Sequence, residues 1–260
     1  MYDKKIFFPK TFLLIACTGL FITGCRKLYD YISSHGDGDF KTCNIKKITY
    51  YRIYDDKRTL RDTVTYNFTY NRLGDPISVI NNKVETGNPN LFFTYDRYNR
   101  LSEYLREYSS SSYDTWSTFY YNDKGQIVYQ SVYGNGNIVN GRPQFSDIYA
   151  SHVAYSYDNK GRIAHEVDSA FFRGTLSGVF PFDYSYDANG DRVGATYDNK
   201  LSLYRTNSVW MFITRDYSLH NPFTATRYND FSLPQTIIDA HLVLLPSAPF
   251  TQYNIEYFCQ

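Results

Sequence analysis

Between Tyr155 and Ile163 the chain alternates and then turns. Tyr155 and Tyr157 fall on one side of an extended segment and Ser156 on the other. Asp158 follows, a residue type that opens a type I turn by accepting backbone N–H groups. Gly161 supplies the left-handed conformation that joins the turn to a returning strand at Arg162 and Ile163. The pattern predicts a β-hairpin. Altered copies run from Phe68 to Ile77, Phe93 to Leu101, Phe119 to Ile127, Tyr184 to Val193 and, in degraded form, Thr226 to Leu233. Gly74, Gly125 and Gly190 close three of these turns. Asn99 closes a fourth, as the non-glycine residue most tolerant of positive φ, and Ser232 fits the last less well. The turn tyrosines Tyr70, Tyr95, Tyr121, Tyr157, Tyr186 and Tyr228 are 25 to 42 residues apart, which marks a repeat with insertions.

The flanking segments add strands and one ambiguity. Ile45, Lys47 and Thr49 against Lys46, Ile48 and Tyr50 read as strand with no clear buried face, and Val64 to Tyr70 leads into the first hairpin. Gly134 to Pro143 is turn-rich and is expected to be a surface loop. Ser208 to Tyr217 reads as a helix capped by Ser208 with Val209, Phe212 and Ile213 on one face, or else as a buried strand; Asn221-Pro222 lies just beyond it. Leu242 to Leu245 and Tyr253 to Phe258 read as closing strands, with Pro246 and Pro249 between them. The expected fold is all-β: an antiparallel meander of hairpins in one large twisted or curled sheet, open or closed, with at most one short helix. Composition agrees, because 19% aromatic residues, with 28 Tyr and 19 Phe, suit pleated half-buried surfaces.

Tyr95-Asp96, Tyr157-Asp158 and Tyr186-Asp187, with Gly161-Arg162 and the run from Tyr186 to Arg192, resemble the YD-repeat family, the Tyr-Asp repeats of Rhs proteins and teneurins. The closer likeness is to short bacterial lipoproteins carrying a handful of such repeats, and it covers Phe68 to Leu233. Large members wind many repeats into a shell around a cargo segment. Half a dozen copies without cargo do not imply encapsulation, and the resemblance brings no catalytic residues.

The N-terminus predicts an address. Lys4, Lys5 and Lys10 precede an apolar stretch from Thr11 to Ile22 that is too short to span a bilayer as a stable helix. Ile22-Thr23-Gly24-Cys25 looks like a lipobox, so residues 1–24 read as a lipoprotein signal peptide and Cys25 as the diacylated N-terminus of the mature protein. Residues 25–42, including Ser33 to Asp39, form a flexible tether, and 43–260 a single repeat domain. Arg26 behind the anchor, in place of Asp, points to the outer membrane, with its periplasmic face and the cell surface both open.

Charge and cysteine usage narrow the partners. Net charge is +1, or −1 once residues 1–24 are removed, and no basic stripe is present, so nucleic acid is excluded as a partner. Cys43 and Cys259 remain after Cys17 and Cys25 are assigned to the signal and the anchor. They form a disulfide, which would require the sheet to close or fold back, or stay buried thiols.

Catalytic chemistry has no visible constellation. His35, His152, His165, His220 and His241 lack metal-ligand spacing, and Asp37 and Asp39 lack the rest of a calcium loop, so no metal and no cofactor are expected. There is no nucleophile elbow or phosphate loop. Two carboxylates suffice for a glycan hydrolase, but Asp96, Asp158 and Asp187 already have turns to hold, and catalysis is the least favoured reading. Binding of carbohydrate or peptide by aromatic rings is the first reading, with Trp116 and Trp210 as the candidate platform. A structural role beside another envelope protein is the alternative.

Overall fold

A computed structural model describes residues 43–53, 60–85, 87–110, 114–134, 137–139, 142–144, 148–238, 242–245 and 251–259. The predicted signal peptide, Cys25, the tether, Pro246 and Pro249 lie outside these residues. Strands β1 (Cys43–Ile53), β2 (Leu60–Tyr70), β3 (Pro76–Asn81), β4 (Asn90–Tyr95), β5 (Leu101–Glu107), β6 (Thr115–Tyr121) and β7 (Ile127–Gly134) pair antiparallel, each with the next. After the short ribbon β8 (Asn137–Val139) and β9 (Arg142–Gln144), the meander resumes with β10 (Tyr149–Tyr157), β11 (Ile163–Phe172) and β12 (Thr175–Asp183). The insertion expected to be a loop therefore contains a small two-stranded ribbon.

The C-terminal strands extend the other side of the same sheet. Strands β13 (Ala225–Tyr228), β14 (Pro234–Ile238) and β15 (Thr251–Cys259) continue outward from β1, giving the order β12-β11-β10-β7-β6-β5-β4-β3-β2-β1-β15-β14-β13. Cys43 and Cys259 face each other across β1 and β15 and are bonded at 2.05 Å. The sheet nevertheless stays open, because β1 and β15 are interior neighbours and the end strands β12 and β13 are not paired with each other. The bond thus marks a fold-back of the chain, and the closed sheet is excluded.

Local irregularities explain what alternation left unclear. A bulge between Ile45 and Lys47 shifts the phase of β1, so Ile45, Ile48 and Tyr50 are all buried. Leu242 to Leu245 is a turn, closed by Leu245 N–H on the Leu242 carbonyl at 3.0 Å, and it places Leu242, Leu244 and Leu245 in the core. The Tyr184 to Val193 copy forms its turn but only an isolated bridge, Tyr186 to Arg192, in place of a hairpin.

Among the described residues one α-helix, α1 (Ser208–Thr214), follows a 3-10 turn over Leu203–Thr206. Its cap is Asn207, one residue before the expected Ser208; Asn207 Oδ1 accepts the Val209 N–H at 2.9 Å. Val209, Trp210, Met211 and Phe212 are all buried, so the helix is covered nearly all round. Trp210 meets the edges of Phe68 and Phe93 at 5.6 and 5.5 Å, and Phe212 those of Phe119 and Tyr155 at 5.5 and 5.4 Å. These four sheet residues each lie two positions before a turn tyrosine. The first aromatic of the repeat is thus the floor on which α1 rests. No helix among the described residues is long and apolar enough to cross a membrane.

Candidate binding face

The repeat residues are occupied by structure. Asn71, Asp96, Asn122, Asp158, Asp187 and Asn229 each open a turn of one hydrogen-bond pattern: the backbone N–H bonds the carbonyl four residues on, and the carbonyl accepts from the N–H three residues on. The closing residues Gly74, Asn99, Gly125, Gly161, Gly190 and Ser232 all have φ between 59° and 87°. Ser232, the poor fit by residue type, therefore closes a fully formed turn, with Asn229 Oδ1 accepting from Phe231 and Leu233. In the turns at Asp96 and Asp158 the partial burial of the carboxyl works against its charge. N–H groups of Arg100 and Tyr98, or of Arg162 and Lys160, and the arginine guanidinium outweigh it and hold both carboxyls below the usual range.

Four turn tyrosines are stitches. The hydroxyls of Tyr70, Tyr95, Tyr121 and Tyr157 donate to the carbonyls of Ile45, Pro76, Leu101 and Ile127 at 2.8, 2.7, 2.6 and 2.6 Å. In the last three cases the acceptor opens the returning strand of the preceding hairpin. Burial pushes all four phenols above their ordinary pKa. Tyr186 lies beneath the Arg162 guanidinium at 3.9 Å and is pushed up to about 12 by burial. Tyr228 donates to Asp198 Oδ2 at 2.5 Å.

The two candidate platform residues separate. Trp210 is fully buried under α1 and is removed from the platform: its position two residues into an aromatic-lined helix seals it. Trp116 lies on the opposite face of the sheet, half-buried, because it alternates with Ser117 and Phe119, which face the helix. The register carries its row across the strands to Leu105 on β5, Tyr133 on β7, Ala150 on β10 and Phe171 on β11. A neighbouring row holds Thr118, Ser131, His152 and Ser169, and a third holds Tyr120, Tyr129, Ala154 and Val167.

The rings of these rows touch. Trp116 and Tyr133 stack with centroids 5.6 Å apart, and Tyr129 and His152 stack at 5.6 Å. Tyr120 meets Tyr129 at 5.8 Å, and Phe171 meets His152 at 5.2 Å. Ser131 Oγ lies 3.2 Å from His152 Nδ1. Apart from Trp116, residue-by-residue reading missed this set. Its signal was present as Trp116-x-Thr118-x-Tyr120 and Tyr129-x-Ser131-x-Tyr133, two period-two rows out of phase with the repeat aromatics.

The helix face carries other chemistry. Arg215, in the left-handed conformation at the end of α1 (φ 57°), reaches Glu166 Oε2 at 2.6 Å and Gln130 Oε1 at 3.0 Å, and also contacts Tyr155 Oη. Tyr155 in turn donates to Gln130 at 2.5 Å, and Gln130 to Ser117 at 3.0 Å. Burial works against the Arg215 charge, but Tyr155 and Glu166 outweigh it and raise its pKa. Glu166 and Asp168 share this face of β11, and both are engaged, Asp168 by Ser151. His220 Nδ1 lies 2.7 Å from Asp191, while the buried Ser218 hydroxyl donates to Tyr197 at 3.1 Å. A groove of about 290 Å3 between the turn row and α1 is lined by Tyr95, Tyr121, Tyr157, Val209, Phe212 and Tyr217. Among the described residues no group of three or more His, Cys, Asp or Glu is placed to hold a metal.

No protein-family model matches the chain, and no curated protein matches it. Among solved structures it is similar to a chain in the crystal structure of TcdB2-TccC3-Cdc42, with a TM-score of 0.30 and 10% identity over 67% of this chain and 9% of that one. A chain in the crystal structure of TcdB2-TccC3-TEV gives 0.29 and 13% over the same shares. The protein thus spans 9% of the length of those chains. The likeness is loose, and the YD-repeat-like character of the sheet rests on its six equivalent turns.

Proposed function

We propose that the protein is a non-catalytic, lipid-anchored protein of the outer membrane, akin to short YD-repeat lipoproteins, that binds carbohydrate on the sheet face opposite α1. The observation that carries the reading is the contact cluster of Trp116, Tyr120, Tyr129, Tyr133, His152 and Phe171, with Tyr120 56% exposed in a setting where the repeat tyrosines are tied to carbonyls. Aromatic rings with hydroxyls between them suit the alternating apolar faces and hydroxyl edges of sugars. The test is a glycan-array screen of the soluble part, Arg26 to Gln260, confirmed by titration. A saturable hit lost on Tyr129→Ala supports the reading, and a blank array overturns it. Anchoring is tested separately by Cys25→Ser, and a variant still processed and membrane-bound would sink it.

A second reading, a structural partner of another envelope protein, has one specific observation behind it. Among the described residues the edge strand β12 has one unpaired side, and Leu176, Val179, Phe180 and Phe182 are each about half exposed on it. Crosslinking on cells, with and without charge placed at Phe180, decides whether that edge has a protein neighbour.

A further inference from the structure

Resting on the carbohydrate reading, we infer that the ligand is an uncharged glycan chain and that it lies across the strands, not along them. The first half follows from what the face lacks. From β6 to β11 the register places Trp116, Thr118, Tyr120, Tyr129, Ser131, Tyr133, Ala150, His152, Ala154, Ser156, His165, Val167, Ser169 and Phe171 on it, with no Asp, Glu, Lys or Arg. The charges that border this stretch on the same face have one sign. Glu103 and Glu107 lie on β5, and Asp183 lies at the end of β12 with its Oδ1 2.7 Å from Nδ1 of His165. A uronate, sulfate or phosphate laid here would meet no Lys or Arg and would face the Glu103 and Glu107 carboxylates on the β5 side, so an anionic chain is repelled. A neutral chain loses nothing to that field.

The second half follows from where the rings stand. Tyr120, Tyr129, His152 and Phe171 come from four strands, β6, β7, β10 and β11, which are consecutive in the sheet, and each touches the next by ring contact. Along any one strand the rings stop after one or two positions. Strands are roughly 4.8 Å apart, a step close to the length of one hexose in an extended chain. Successive sugars crossing the strands therefore meet successive rings, with Thr118 and Ser169 between the aromatic rows as hydrogen-bonding groups.

The experiment titrates the mature chain by calorimetry with neutral hexasaccharides (cellohexaose, chitohexaose, maltohexaose) and acidic ones (hexagalacturonate, a hyaluronan hexamer). Tryptophan fluorescence is a parallel reading, with Trp116→Phe assigning any ligand-induced change between Trp116 and the buried Trp210. The expected result is saturable binding of at least one neutral hexamer, with the acidic ones at least tenfold weaker. Tyr120→Ala, Tyr129→Ala and Phe171→Ala, on three different strands, should each weaken it by about 2- to 10-fold. Tyr98→Ala, an exposed ring at a turn, should leave it unchanged. Unchanged thermal midpoints show that the variants are folded. Binding of acidic hexamers alone overturns the inference and leaves the carbohydrate reading standing. Loss confined to rings of one strand overturns the crossing direction. Binding of none of them, with a blank array, overturns both.

Discussion

The hydroxyl of Tyr121, the last residue of β6, donates to the carbonyl of Leu101, the first residue of β5, at 2.6 Å. Tyr95 does the same to Pro76, Tyr157 to Ile127 and, from outside the repeats, Tyr257 to Pro234. A carbonyl at a strand start has lost its ladder partner, and the phenol replaces it. Adjacent hairpins are thereby fastened at their turn ends. Removing only the hydroxyl, Tyr121→Phe, leaves the Leu101 carbonyl without its donor and should cost about 1–2 kcal/mol in urea unfolding. Tyr120→Phe, on the opposite and exposed face, should cost almost nothing. Equal effects from the two would refute the stitch.

The Asp158 turn predicts an acid response. Asp158 Oδ1 accepts two N–H groups, and Oδ2 receives Nε and Nη2 of Arg162 at 2.8 and 2.7 Å. Its folded pKa is lowered, so its share of stability is present above the unfolded value of about 3.9 and is lost as pH falls through the folded value. Asp158→Asn keeps the Oδ1 acceptor, as Asn122 does in its own turn, but removes the ion pair. The variant should be about 0.5–1.5 kcal/mol less stable at pH 7. Followed by denaturant titration from pH 7 to 2, the gap should close in acid. A gap that stays constant would show that the charge has no part in it.

Ser232 offers a stabilising change. With φ at 61°, it holds a conformation that costs a side-chain-bearing residue about 1 kcal/mol relative to glycine. Ser232→Gly should raise stability by several tenths of a kcal/mol, while Gly125→Ala, at φ 76°, should lower it by about 1 kcal/mol. Thermal midpoints of the pair test this, and a fall in both would mean that the serine side chain has a further role.

These turns show what the sequence made legible. Residue type and a period of two are local properties, so Tyr157-Asp158 and Gly161 announce a hairpin without any long-range information. The pairing of β1 with β15 does not show in this way, because nothing near Cys43 says which of many strands it meets; only the two cysteines hinted at it. Trp210 looked like a platform since indole is often exposed at binding sites, but a helix resting on Phe68, Phe93, Phe119 and Tyr155 has no exposed aromatic side. The binding face was written in the opposite phase of the same strands. It became visible only when the register joined Tyr120, Tyr129, His152 and Phe171.

Arg215 and Glu166 make the last case, a buried ion pair that holds α1 to the far side of the meander. Their side chains are 18% and 12% exposed, and they bridge 49 residues of sequence. The arginine is also in a left-handed conformation and lies over the rings of Tyr155 and Phe212 at 4.7 and 4.6 Å. Arg215→Met keeps the packing volume and leaves the Glu166 charge with only the Tyr184 hydroxyl at 3.4 Å; a loss of about 3 kcal/mol is expected. Glu166→Leu alone leaves the cation without its counter-charge, held only by the neutral acceptors Gln130, Tyr155 and the Phe212 carbonyl, and should cost a similar amount. The double variant Arg215→Met/Glu166→Leu buries neither charge, so it should recover most of the loss, although Gln130 and Tyr155 still lose the Arg215 contacts. Additive losses in that double-mutant cycle would show that the pair is not coupled and that α1 is held by its aromatic floor alone.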